Sequence, residues 1–140
     1  MIQVNYIAVL VCGVIAMVLG SLWYGPLFGK PWMKELGMSK GQMNQAMKKG
    51  MAKNYVIMFI SSLLLAYVLA HVLGFASNDM GGTSVSNGLQ GGFWMWLGFV
   101  ATTMLGKVLW EGKSLKLYAI DSGYYLALIL LMGVTLSVMS

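Results

Sequence analysis

Four apolar blocks, at residues 4–22, 55–75, 91–110 and 121–139, divide this sequence, and most of its charges fall between them. Each holds about 20 residues, which at about 1.5 Å of rise per residue reaches about 30 Å, the thickness of a bilayer's hydrocarbon core. A membrane barrel would need alternating segments of about ten residues, whereas these blocks are apolar on all sides. The pattern predicts a single all-α domain over residues 1–140, an integral membrane four-helix bundle. A hydrophobic share of 59% with only 9% charged residues fits a chain solvated by lipid and not one folded in water. The net charge of +5 comes from nine Lys that lie mainly in the connections, so it reads as membrane topology and not as a nucleic-acid-binding face.

The Lys residues also set an orientation. Lys30, Lys34, Lys40, Lys48, Lys49 and Lys53 separate the first two blocks; Lys113 and Lys116 separate the last two, with Lys107 one turn inside the third. Residues 76–90 carry only Asp79, and neither the start nor the last three residues carry a basic side chain. The excess of Lys stays cytoplasmic, so both ends are expected outside. No basic n-region precedes the first block, which is therefore expected to stay as a helix and not to be cleaved as a signal peptide. Cys12, alone, is expected to be a small packing residue.

The first connection has structure of its own. Trp23, Tyr24, Phe28 and Trp32 cluster where amphipathic rings favour the headgroup layer, and Pro26 and Pro31 with Gly25 and Gly29 interrupt a helix. After Ser39, a candidate N-cap, Met43, Ala46, Met47 and Met51 fall on one helical face, opposite Gln42, Gln45, Lys48, Lys49 and Lys53. That predicts a short amphipathic helix on an anionic leaflet. Residues 76–90, rich in Ser, Asn and Gly, are expected to form a flexible loop.

Helices in lipid pack through small residues. Ala16 and Gly20, then Ser62, Ala66 and Ala70, then Gly98, Thr102 and Gly106, then Gly123 and Ala127 mark one candidate face on each span. They close the bundle, or one row, most plausibly the third, makes a homo-oligomer contact.

The run Leu22-Trp23-Tyr24-Gly25-Pro26-Leu27-Phe28-Gly29-Lys30-Pro31-Trp32-Met33 resembles the opening signature of the domain of unknown function 1761 family of small bacterial membrane proteins. Leu97 to Thr102, Leu109-Trp110-Glu111-Gly112-Lys113 and Leu115 to Tyr124 are similar to its second half, with Trp110 where the family often has Phe. The resemblance implies a four-span membrane protein and no particular activity.

Among polar residues, Lys107, Glu111 and Asp121 are the candidate polar pathway, because ionisable groups at membrane depth are costly and tend to face protein or water. Their simpler role is interfacial: Lys107 snorkels, Gly112 ends the third helix, and Asp121 favours the positive end of the fourth. Trp23, Tyr24, Phe28, Lys30 and Trp32 are a candidate lipid or partner contact, or a belt that fixes depth. His71 with Asp79 makes a weak proton or metal site, and Met43, Met47 and Met51 suit cuprous copper by chemistry but an amphipathic face by spacing. No metal or other cofactor is expected, and no nucleophile–base set, phosphate loop or dinucleotide fingerprint is present. The expectation is a non-enzymatic transport or channel-like module, oligomeric, or an accessory subunit that binds membrane lipid or a larger membrane complex.

Overall fold

The structure, a computed structural model, describes residues 2–140 apart from the side chain of Met80. Every regular element among these residues is helical. Four helices are long and apolar enough to cross a membrane: α1 (Tyr6–Leu27), α4 (Ala52–Met80), α5 (Val85–Glu111) and α6 (Leu115–Val138). Two short helices, α2 (Gly29–Leu36) and α3 (Lys40–Lys48), fill the first connection, so the fold is four spans plus two and not a bare four-helix bundle.

The ends of each helix follow from local chemistry. Asn5 caps α1 by accepting from the Ile7 and Ala8 amides, and its side-chain amide donates to the Met139 carbonyl at the far end of α6. That bond places the start of α1 beside the end of α6. Ser39 and Gln42 form a reciprocal capping box on α3, as its sequence predicts. Gly37, Gly81 and Gly112 end α2, α4 and α5 with φ of 73°, 80° and 70°, the left-handed conformation that glycine adopts without a Cβ penalty.

The flexible loop expected at residues 76–90 is not there. α4 runs on to Met80 and α5 begins at Val85, capped by Ser84, so a four-residue turn joins them. The Ser and Asn of this stretch satisfy themselves on helix ends: Ser77 bonds back to the Gly74 carbonyl, and Asn87 donates to the Gly82 carbonyl. The glycines serve packing. A Cβ on Gly88 would land on the Gly133 carbonyl oxygen, and one on Gly92 would sit 3.1 Å from the Ile129 carbonyl oxygen. These are the small residues that bring α5 and α6 together backbone to backbone.

α6 is the most enclosed of the four spans. Its Leu128 and Met132 are fully buried, against Ala8, Cys12 and Ala16 of α1. α4 packs on α1, where Gly13 lies against Phe59 and Leu63, also touches α5 and α6, and contributes Ser62, Ala66 and Leu69 to the buried set. The second half of α5 is held to α6 on one side, where Val100 packs on the core, Ala101 is buried and its carbonyl accepts from the Tyr118 hydroxyl at 2.7 Å. Another face is open: a Cβ on Gly98 would have nothing within 4 Å, Thr102 is exposed with its hydroxyl on the Gly98 carbonyl, and a Cβ on Gly106 would meet only Trp110 of its own helix. The row Gly98, Thr102 and Gly106, expected to close the bundle or to meet a second copy, thus packs on no other helix among the described residues, and the packed glycines, Gly88, Gly91 and Gly92, lie about two to three turns before Gly98.

Candidate functional site

The site grows from the corner at the end of α1. Pro26 has no amide hydrogen to donate to the preceding turn, and the helix responds by widening: the Phe28 amide donates to the Trp23 carbonyl, five residues back, at 2.8 Å. The chain then turns straight into α2. Gly29 is required at this bend, since a Cβ there would lie 2.7 Å from the Tyr24 carbonyl oxygen. Pro31 is accommodated because it falls in the first turn of α2, where the missing donor would have had no helical partner.

Three polar hydrogens pin this corner to α6. The Trp23 indole donates to the Ile120 carbonyl at 2.9 Å, the Tyr24 hydroxyl donates to an Asp121 carboxylate oxygen at 2.7 Å, and the Tyr124 hydroxyl donates to the Ala16 carbonyl at 2.9 Å. The rings pack as a cluster, with Tyr24 at 4.9 Å from Trp32 and 5.5 Å from Tyr124, and Trp23 at 4.6 Å from Phe28, between centroids. Gly123 and Gly20 make room: a Cβ on the first would sit 3.3 Å from the Trp23 ring and one on the second 3.4 Å from the Tyr124 hydroxyl. Trp23 and Tyr24 therefore face protein, half-buried, and only Phe28 of that trio is exposed.

Beneath this corner lies a cleft of about 650 Å³ between α1, α2, α3, the start of α4 and α6. Met17 of α1, Met33 of α2, Met43 and Met47 of α3, Met51 just before α4 and Met58 within it line the cleft. Ring faces come from Tyr24, Trp32, Tyr55, Tyr124 and Tyr125, and Lys30 is the charged residue of the wall. The deep end is at buried Ala16 and Tyr124, the outer end at exposed Lys30. Thioethers are polarisable and adapt to irregular shapes, so such a wall accepts an apolar body without demanding one outline. The volume falls within the range of about 300–1,000 Å³ typical of small-molecule sites.

α3 closes one side of this cleft. It has no buried residue, reaches the wall through Met43 and Met47, and is bounded by Gly37 and Gly50, whose φ values are 73° and 89°. Its opposite face carries Gln42, Gln45 and Lys48, all exposed, as the amphipathic pattern predicts.

The three residues of the expected polar pathway are not drawn together. Asp121 is half-buried on Tyr24, whereas Lys107 and Glu111 are exposed on the last turns of α5 and hold no ion pair among the described residues. Of the expected lipid-contact set, Tyr24, Lys30 and Trp32 line the cleft, while Trp23 buttresses it from behind. His71 leans on Tyr67 at 4.5 Å, with its Nδ1 3.0 Å from the Tyr67 carbonyl, and no cluster of three His, Cys, Asp or Glu able to hold a metal occurs among the described residues. The stripe Met43, Met47 and Met51 was visible in the sequence as one face of a helix. Met17, Met33 and Met58 were not, since only the tertiary fold brings them opposite that stripe, and Tyr124 and Tyr125 carried no local signal beyond a pair of aromatics in an apolar span.

No curated protein and no solved structure matches the chain. Residues 7–137, nearly its whole length, match the family model described as "Protein of unknown function (DUF1761)". The chain, with four helices long and apolar enough to cross a membrane, belongs to the DUF1761 family of proteins of unknown function.

Proposed function

We propose that this chain is a small, non-enzymatic protein of the bacterial inner membrane, with both ends outside, that binds a lipophilic molecule at the cytoplasmic face of the bilayer. The observation that carries this reading is the cleft of about 650 Å³ walled by six methionines and five aromatic rings. It lies beside the Lys-bearing connection, which the positive-inside rule assigns to the cytoplasmic side. Its inner end is in the span of α1 and its outer end among α2 and α3, so a guest from the leaflet would keep its apolar body among thioethers and rings. The role is that of an accessory or lipid-handling subunit, and the open face of the second half of α5, with Trp110 86% exposed, offers a surface to lipid, a second copy or a larger complex.

The test is direct binding. The purified chain, stripped of lipid in detergent, is titrated with a short-chain amphiphile and followed by native mass spectrometry. Saturable uptake of one molecule per chain is expected, with loss in the filled-cleft variant Met17→Trp with Met58→Trp while the helical circular dichroism is retained. Uptake that never saturates, or that is equal in the filled variant, would refute the reading.

A second reading, a transport or channel-like module, is favoured by one observation: Asp121, an ionisable group half-buried beside the cleft, holds the Tyr24 hydroxyl. It predicts flux into proteoliposomes that falls in Asp121→Asn. Flux that is the same in this variant, and in Glu111→Gln, rules out a path through these carboxylates.

A further inference from the structure

The wall of the cleft is selective in its charge. Lys30 is its charged residue and stands at the outer end, exposed, so its ammonium reaches the level where a leaflet-borne guest carries its head. The segments that frame this end repeat the sign: α2 adds Lys34, α3 adds Lys40 and Lys48, and Lys49 and Lys53 follow, against the single carboxylate of Glu35. Lys30 is the one of these that lines the cleft, and the others make the connection around it net positive. The other acidic group nearby, Asp121, is not part of the wall; it lies behind Tyr24, with a carboxylate oxygen taken up by that hydroxyl. Along the wall the hydroxyls of Tyr24, Tyr124 and Ser21 are already committed, to Asp121 and to the Ala16 and Met17 carbonyls, while those of Tyr55 and Tyr125 make no hydrogen bond among the described residues. The cleft thus offers a guest thioethers, ring faces and neutral phenols, and the outer end offers its one cation.

Resting on the reading that the cleft binds a lipophile, we propose that its guest is a single-chain amphiphile with an anionic head, a carboxylate or a phosphate monoester. The head pairs with Lys30 and the chain lies inward along Met17, Met47, Met58 and the face of Tyr124. A charge-assisted bond to an ammonium is stronger than one to a neutral hydroxyl, which sets the discrimination expected between heads. One chain fits a site of this size, and the basic rim penalises a guest that brings its own positive charge.

The experiment uses the full chain in detergent and four probes with the same twelve-carbon alkyl tail: tridecanoate, dodecyl phosphate, dodecanol and dodecyltrimethylammonium. Binding is read by competition in native mass spectrometry. The anions are expected to bind at one per chain and roughly tenfold or more tighter than the alcohol, with the quaternary ammonium weakest. Lys30→Gln should erase the preference for anions and leave dodecanol binding as it was; Lys30→Arg should restore it; Lys113→Gln, remote from the cleft, should change nothing. Comparing the two anions tells a fatty-acid-like head from a phosphorylated one. If dodecanol or the quaternary ammonium binds as tightly as the anions, the anionic class is wrong while the cleft reading stands; if the preference for anions survives Lys30→Gln, the pairing of the head with Lys30 is wrong. If none of the four binds saturably, the cleft reading itself fails and this inference with it.

Discussion

Gly88 and Gly133 lie backbone against backbone, each filling the space where the other's side chain would begin. A Cβ on either falls on the opposite carbonyl oxygen, so α5 and α6 must separate to admit one. Gly133→Val and Gly88→Val should each destabilise the chain by about 3 kcal/mol or more, the upper end of overpacking costs. Gly98→Val, with open space around it, should shift stability by less than about 0.5 kcal/mol. Unfolding in detergent mixed with increasing SDS, followed by circular dichroism, separates the two outcomes; equal effects at positions 98 and 133 would contradict the packing described here.

The Tyr24 hydroxyl and Asp121 form a second quantitative test. Their 2.7 Å bond joins the aromatic corner to α6, with a donor to a charged acceptor, a kind worth about 1.5–3 kcal/mol. A double-mutant cycle with Tyr24→Phe and Asp121→Ala should return a coupling energy of that order. A coupling near zero would mean that the two groups are held in place independently.

α3 is predicted to be the least protected helix. It has no buried residue and is flanked by two left-handed glycines, whereas α6 is the most buried of the four spans. Amide hydrogen exchange should be fastest across residues 37–50 and slowest around Leu128 and Met132. Filling the cleft with a bound amphiphile should slow exchange around Met43 and Met47 specifically. Protection of α3 equal to that of α6 would show that it is fixed by contacts other than those described.

The orientation has its own measurement. With Cys12 replaced by Ala, single cysteines at positions 45 and 85 should be labelled by a membrane-impermeant maleimide from opposite sides in intact cells and inverted vesicles. Position 45 should react from the cytoplasmic side, as the distribution of Lys requires. Labelling of both from one side would overturn the N-out, C-out arrangement.

The spans were readable because lipid imposes a length and Lys residues punctuate it; the cores of all four fall within the observed helices. The capped amphipathic helix was readable too, since Ser39 and Gln42 sit at capping-box spacing before a Met face. The turn at residues 81–84 was hidden by its own chemistry. Glycine and serine signal a loop in water, but Gly88, Gly91 and Gly92 are small because Gly133, Leu73 and Ile129 press against them. The expectation of a depth-fixing belt at Trp23 and Tyr24 missed their carbonyl and carboxylate acceptors at Ile120 and Asp121, almost a hundred residues on. The cleft was invisible for the same reason: a pocket walled by five separate segments has no local pattern.

The burial of Cys12, with 0% of its surface exposed between α1 and α6, makes the native thiol a gauge of the fold. Its sulfur lies 4.0 Å from the Met132 carbonyl oxygen, so an alkylating reagent reaches it only after the first and last spans part. The rate at which the unmodified chain gains that adduct therefore clocks the opening of the bundle's centre, with no engineered probe and in whatever lipid surrounds it.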